Sequence, residues 1–107
     1  MREVTLESFV AAHRDGAYVI DVREPMEYVS GHVPGAELVP MGRLPGKVAD
    51  LPQDRPVYVI CARGNRSLAM TDFLQRAGVQ ATSVAGGTHA WASAGYPIVT
   101  GPRANAA

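Results

Sequence analysis

Cysteine is almost absent from this chain: Cys61 is the only one among 107 residues. A single thiol closes no intramolecular disulfide, so the protein is held together by its core rather than by a covalent framework. Together with only three scattered histidines, it cannot supply the four ligands of a standard zinc site, and neither a metal nor another cofactor is expected. An excess of charge of either sign is also missing. Ten basic residues balance ten acidic ones, which argues against nucleic acid or an anionic membrane as a whole-surface partner. No stretch of about 18 apolar residues occurs, and the opening MREVTLESFV has no apolar core behind a basic start. The chain therefore reads as soluble, cytoplasmic and without a membrane partner. Repeats, charge runs and low-complexity segments are lacking too, which leaves one domain over residues 1–100 and a short tail, GPRANAA at 101–107, expected to be flexible.

What is present is an ordinary globular composition, 47% hydrophobic with 19% charged, and an alternation of two patterns. Short β-branched or aromatic runs fall at 18–21 (YVID), 37–39 (ELV), 57–60 (VYVI) and 82–84 (TSV). Helical patterns lie between them. Thr5 can cap a helix over residues 6–13 that Gly16 would stop. Pro25 opens a short one over 24–29, and a weaker one at 44–49 contains Pro45 and Gly46. The clearest spans 67–77, where Leu68, Met70, Phe73, Leu74 and Ala77 form an apolar stripe that ends at Gly78. Strands alternating with helices predict an α/β domain with a parallel sheet covered on both faces, and such sheets collect ligands beyond the carboxyl ends of their strands. Two places satisfy that rule, one after Asp21 and one after Ile60. Cys61 occupies the second.

The segment VYVI-CARGNR-SLAM is a strand, a loop and a helix start. Gly64 allows a positive φ in the middle of the loop, so successive loop amides and the free N–H groups of the helix can converge on the Cys61 sulfur. That setting favours thiolate over thiol, and Arg63 and Arg66 add positive charge, with Arg66 better placed to fork onto two oxygens. Alternatively, Cys61 is buried filler at the end of a core strand, with solvated arginines nearby. Only four residues, Ala62, Arg63, Gly64 and Asn65, separate Cys61 from Arg66. A cysteine phosphatase wraps phosphate with a larger cradle, so this loop suits one extra sulfur atom on the cysteine better than a phosphoryl group. With no second cysteine, resolution through an internal disulfide is excluded.

Three segments together resemble the single-domain rhodanese family of sulfurtransferases: VIDVREPMEYVSGHVPGA at 19–36, CARGNRS at 61–67 and GGTHAWASAGYP at 86–97. The chain departs from the usual pattern at Leu38, where the family often has asparagine, and at Ala62, which is less polar than many counterparts. The resemblance implies a rhodanese-like fold, a central parallel five-stranded sheet with helices on both faces. It also implies a two-step reaction in which Cys61 takes the outer sulfur of a donor such as thiosulfate as a persulfide. Cys61 then passes that sulfur to cyanide or a cellular thiol. The loop residues Ala62, Arg63, Gly64, Asn65, Arg66 and Ser67 would bind the persulfide and seat a small anionic donor. A persulfide carrier served by a protein donor or acceptor, with little activity on small molecules, is the alternative from another class. A phosphatase or arsenate reductase on a related scaffold is disfavoured by the short loop.

Asp21 and Arg23 end the strand beside the cysteine loop and read as a supporting ion pair, with Glu27 able to reach Arg23 across one helical turn. His32, in the GHVPG turn, would be the base of a Cys–His enzyme, but persulfide chemistry needs an ionised sulfur more than a base, so a structural role is expected. His13 and His89 have weaker claims, and Trp91 reads as core or pocket wall.

Overall fold

A computed structural model describes residues 2–105. Five parallel strands form one sheet: β1 (Glu3–Val4), β2 (Tyr18–Asp21), β3 (Glu37–Leu38), β4 (Val57–Ile60) and β5 (Ala81–Val84), in the order β1-β5-β4-β2-β3. Three α-helices connect strands, α1 (Leu6–Arg14), α2 (Pro25–Ser30) and α3 (Asn65–Arg76), a 3₁₀ run over Met41–Asp50 joins β3 to β4, and α4 (Gly87–Ser93) follows β5. The α/β architecture expected from the sequence is the one observed.

Each face of the sheet has its own core. On one, Ile20, Val22, Val57 and Val59 pack with Leu74 of α3 and Leu44 of the 3₁₀ run. On the other, Val19, Ile60 and Val84 pack with Phe9 and Val10 of α1 and Trp91 of α4. Because successive strand side chains point to opposite faces, a strand covered on both sides is apolar nearly throughout, which is why VYVI carries no alternation.

Local chemistry sets the helix ends. The Thr5 hydroxyl accepts from the Ser8 amide at 3.1 Å and caps α1. Glu24 and Glu27 form a reciprocal capping box at the start of α2, with Pro25 at the first position.

Four expectations are adjusted by the structure. β1 was not anticipated, because two residues are too few to show a period. The weak helix at 44–49 is a longer 3₁₀ run: Pro45 has no N–H to give an α-type bond, and short i→i+3 turns tolerate it. α3 begins at Asn65, two residues before Ser67, because Gly64 already sits in the left-handed region at φ 105° and turns the chain into the helix. The segment expected to be a flexible tail is tied down as far as it is described: the Gly101 amide donates to Val29 O (2.9 Å) and the Gly35 amide to Ala104 O (2.9 Å). Residues 106 and 107 lie outside the described residues.

Candidate functional site

The register of the sheet places the site. Asp21 at the end of β2 pairs with Ile60 at the end of β4, and the Val22 amide donates to Ile60 O at 3.0 Å. The residues that follow, Val22-Arg23 on one strand and Cys61 on the other, therefore emerge side by side at the carboxyl edge. A cavity of about 300 Å³ lined by Tyr18, Arg55, Pro56 and Tyr58 lies at the opposite edge, by the amino ends of β2 and β4.

Cys61 is 1% exposed and stands at the mouth of its loop. The amides of Gly64 and Ser67 donate to its sulfur at 3.1 and 3.3 Å, and the thiol lies 3.3 Å from Ser67 Oγ. In the thiol form the S–H donates to that hydroxyl; on ionisation the hydroxyl can turn and donate to the thiolate. Burial alone would raise the thiol pKa and is the largest single influence. The Ser67 hydroxyl and the amides of Ser67, Gly64 and Arg63 together outweigh it, so the Cys61 thiol sits below its ordinary value. Alkylation of Cys61 by iodoacetamide is accordingly expected to have its rate midpoint shifted down from that of an ordinary thiol. The rate should fall only as pH drops through that lowered midpoint. In Ser67→Ala the midpoint should move up, and an unshifted profile would show that the hydroxyl does not stabilise the thiolate.

The loop is held open by its own backbone. The carbonyls of Cys61 and Ala62 accept from the amides of Thr88 and His89 at the start of α4, both at 2.9 Å. In a trans peptide the N–H lies opposite the C=O, so the amides of Ala62 and Arg63 point away from α4. The amides of Asn65, Arg66 and Ser67 head α3 and have no acceptor one turn earlier in the helix. Gly87 makes the approach of α4 possible: its φ is 58°, and a Cβ there would stand 2.5 Å from Cys61 O. Gly87 and Thr88 were legible only as part of the closing motif. Ser83, on β5, was not singled out at all; its hydroxyl meets Ser67 Oγ at 2.8 Å, with both residues fully buried. A serine in a short strand carries no signal that it will face a loop from another part of the chain.

The charged residues pair differently from expectation. Asp21 and Arg23 form a buried bidentate pair, with Nη2 to Oδ2 at 2.8 Å and Nε to Oδ1 at 2.9 Å, and Arg23 Nη2 also donates to Gly31 O at 2.8 Å. Arg23 thereby ties the end of β2 to the end of α2. Glu27 does not pair with Arg23, as four-residue helical spacing suggested, because Arg23 precedes α2 and turns inward onto Asp21. Instead Glu27 takes both Nη atoms of Arg66, at 2.7 and 2.8 Å. That hydrogen-bonded pairing holds the Glu27 carboxyl down at about 2, against the opposing effect of burial, and raises the Arg66 guanidinium. Arg66, expected to offer its fork to a substrate, already has a carboxylate in it. Arg63 is exposed and makes no ion pair among the described residues. Among the described residues, the hydrogen bonds to the sulfur involve Gly64 and Ser67, and none involves the side chain of Ala62 or Asn65.

His32 is fully buried and stacks on Tyr28 with ring centroids 3.6 Å apart. Its Nδ1 faces Tyr28 O at 2.8 Å and its Nε2 faces Arg103 O at 2.8 Å, so both nitrogens serve the turn and the end of the chain. His32→Ala is expected to destabilise the protein by about 2–4 kcal/mol in a denaturant melt, through lost hydrogen bonds and a cavity. The alkylation rate of Cys61 in the folded variant should not change. A slower rate in a fully folded variant would instead make His32 a base. Trp91 is buried in the core, where its Nε1 donates to Pro97 O at 2.7 Å. Among the described residues, no group of three or more histidine, cysteine or acidic side chains could hold a metal ion, and no helix is long and apolar enough to cross a membrane.

A buried thiol that accepts from two loop amides thus stands at the carboxyl edge of a parallel α/β sheet. The model of the rhodanese-like domain matches residues 5–94, and the chain belongs to that family. It is 34% identical over 89 residues to a sulfurtransferase of Allochromatium vinosum, covering 82% of this chain and 83% of that one. It is 30% identical over 97 residues to the thiosulfate sulfurtransferase GlpE of Pseudomonas entomophila, covering 90% and 88%. The crystal structure of a rhodanese-related protein from Thermoplasma volcanium superposes with a TM-score of 0.85 at 34% identity, over 92% of this chain and 97% of that one.

Proposed function

We propose that the protein is a sulfurtransferase working through a persulfide on Cys61. The observation that carries this reading is the sulfur itself, buried and ringed by the Gly64 and Ser67 amides and the Ser67 hydroxyl. In the first half-reaction the Cys61 thiolate attacks the outer sulfur of a donor such as thiosulfate. A new S–S bond forms to Cys61, the donor's S–S bond breaks, and sulfite leaves with the bonding electron pair. In the second, cyanide or a cellular thiolate attacks the terminal sulfur, and Cys61 departs as the thiolate. Neither step needs an oxidant, a metal or a second cysteine. The terminal sulfur carries negative charge, and the amides of residues 62–67 are the groups available to stabilise it, preorganised by α3 and by the hold of α4 on the loop carbonyls. Low exposure of Cys61 favours a donor that can introduce one slim atom over a phosphoryl group. A lone reactive thiol suits a reducing, cytoplasmic setting.

The test is intact mass of the purified protein before thiosulfate, after it, and after cyanide. A gain of one sulfur atom, lost on adding cyanide as thiocyanate appears, supports the cycle. Absence of any gain in folded protein with a free thiol points to a second reading, a persulfide carrier loaded by another protein. That reading is favoured by one observation: the guanidinium of Arg66 is already occupied by Glu27.

A further inference from the structure

Three arginines stand around the Cys61 loop, and two have their charge internally matched. Arg23 is 6% exposed and locked on Asp21. Arg66 gives both Nη atoms to Glu27, and the Glu24 amide donates to Glu27 Oε1, the oxygen that Arg66 Nη1 also reaches, at 3.0 Å. The carboxylate is therefore held by two groups, a guanidinium and a helix-capping amide. With its carboxyl at about 2, Glu27 stays ionised at any pH at which the thiolate exists. Of these three arginines only Arg63 makes no ion pair among the described residues, while the charge that Arg66 could offer a dianion is already matched by Glu27.

We propose that Glu27 is a specificity-determining residue: by occupying the fork of Arg66 it turns the site from doubly charged thiosulfate toward singly charged organic persulfides, R–S–S⁻. This inference rests on the persulfide cycle proposed above. The chemistry balances in the same way for such a donor. The Cys61 thiolate attacks the outer sulfur, the donor's S–S bond breaks, and R–S⁻ leaves with the electron pair, so Cys61 carries the persulfide and total charge is unchanged. A singly charged donor has less to gain from a bidentate guanidinium than thiosulfate, whose sulfonate oxygens match a fork. It also loses less to a neighbouring carboxylate.

Glu27→Gln tests the idea, because the amide keeps an oxygen for the Glu24 N–H and so keeps the start of α2, while removing the charge that closes Arg66. Steady-state KM and kcat are measured for the wild type and the variant with two donors, thiosulfate and 2-hydroxyethyl persulfide. The KM for thiosulfate is expected to fall about five- to tenfold in the variant, and that for the persulfide to change by less than about twofold. The difference should shrink as salt is raised. An unchanged or higher thiosulfate KM in a variant that melts like the wild type overturns the proposal, as does an equal change for both donors, which would mark Glu27 as a purely structural residue. Intact mass separates this from failure of the underlying cycle. If neither donor adds sulfur to the wild type, the cycle falls and the selector with it; if sulfur is added but donor preference does not move, only the selector falls.

Discussion

Cys61→Ser should retain the fold and lose sulfur transfer entirely. The serine oxygen can still accept from the Gly64 and Ser67 amides that now reach the sulfur at 3.1 and 3.3 Å, so the loop has no reason to collapse. What disappears is the chemistry. An alkoxide is not available near neutral pH, and oxygen does not form the S–S bond on which the two half-reactions turn. The variant should show a wild-type melting profile, no mass gain with any sulfane donor and no thiocyanate production. Transfer surviving in folded Cys61→Ser would eliminate the persulfide mechanism, since no other cysteine exists to take over.

Asp21→Ala should be the most destabilising single change near the site. Asp21 is fully buried and Arg23 nearly so, and the carboxylate accepts from the Arg23 amide, Nε and Nη2. Removing one partner of a buried pair leaves a guanidinium without a counter-charge, which typically costs about 3–5 kcal/mol. Arg23 would also lose the geometry with which it reaches Gly31 O, so the end of α2 and with it the Glu27 carboxylate would loosen. Urea unfolding followed by tryptophan fluorescence reports the loss directly, since Trp91 is the sole tryptophan and is buried. A loss below about 1 kcal/mol would mean that the pair contributes no more than an exposed one.

The two-face core was legible because VYVI and YVID are short, apolar and bounded by glycine, proline and charged residues, a pattern that parallel strands share and surface strands do not. The position of Cys61 was legible for the same reason, as the residue immediately beyond such a strand. What could not be read was any interaction between side chains set far apart in sequence by the crossovers of the sheet. Glu27 and Arg66 are 39 residues apart, and Ser67 and Ser83 are 16 apart. Local spacing instead suggested Glu27 with Arg23, and it misled because a four-residue interval implies contact only when both residues are on the same helix. The docked 101–105 segment was hidden in the same way. Its glycine, proline and alanine content looks like a free end, while the groups that hold it, Val29, His32 and Gly35, are some seventy residues earlier.

The hydrogen bonds by which α4 holds the cysteine loop run between main-chain atoms, from the amides of Thr88 and His89 to the carbonyls of Cys61 and Ala62. Side chains at 62, 63 and 65 take no part in those bonds. If Cys61 is the nucleophile proposed above, a combinatorial library should be able to rewrite those three positions to suit a new donor and leave the loop standing. Gly64 and Gly87, by contrast, should tolerate almost no replacement, which divides the neighbourhood of one reactive atom into a variable lining and an invariant frame.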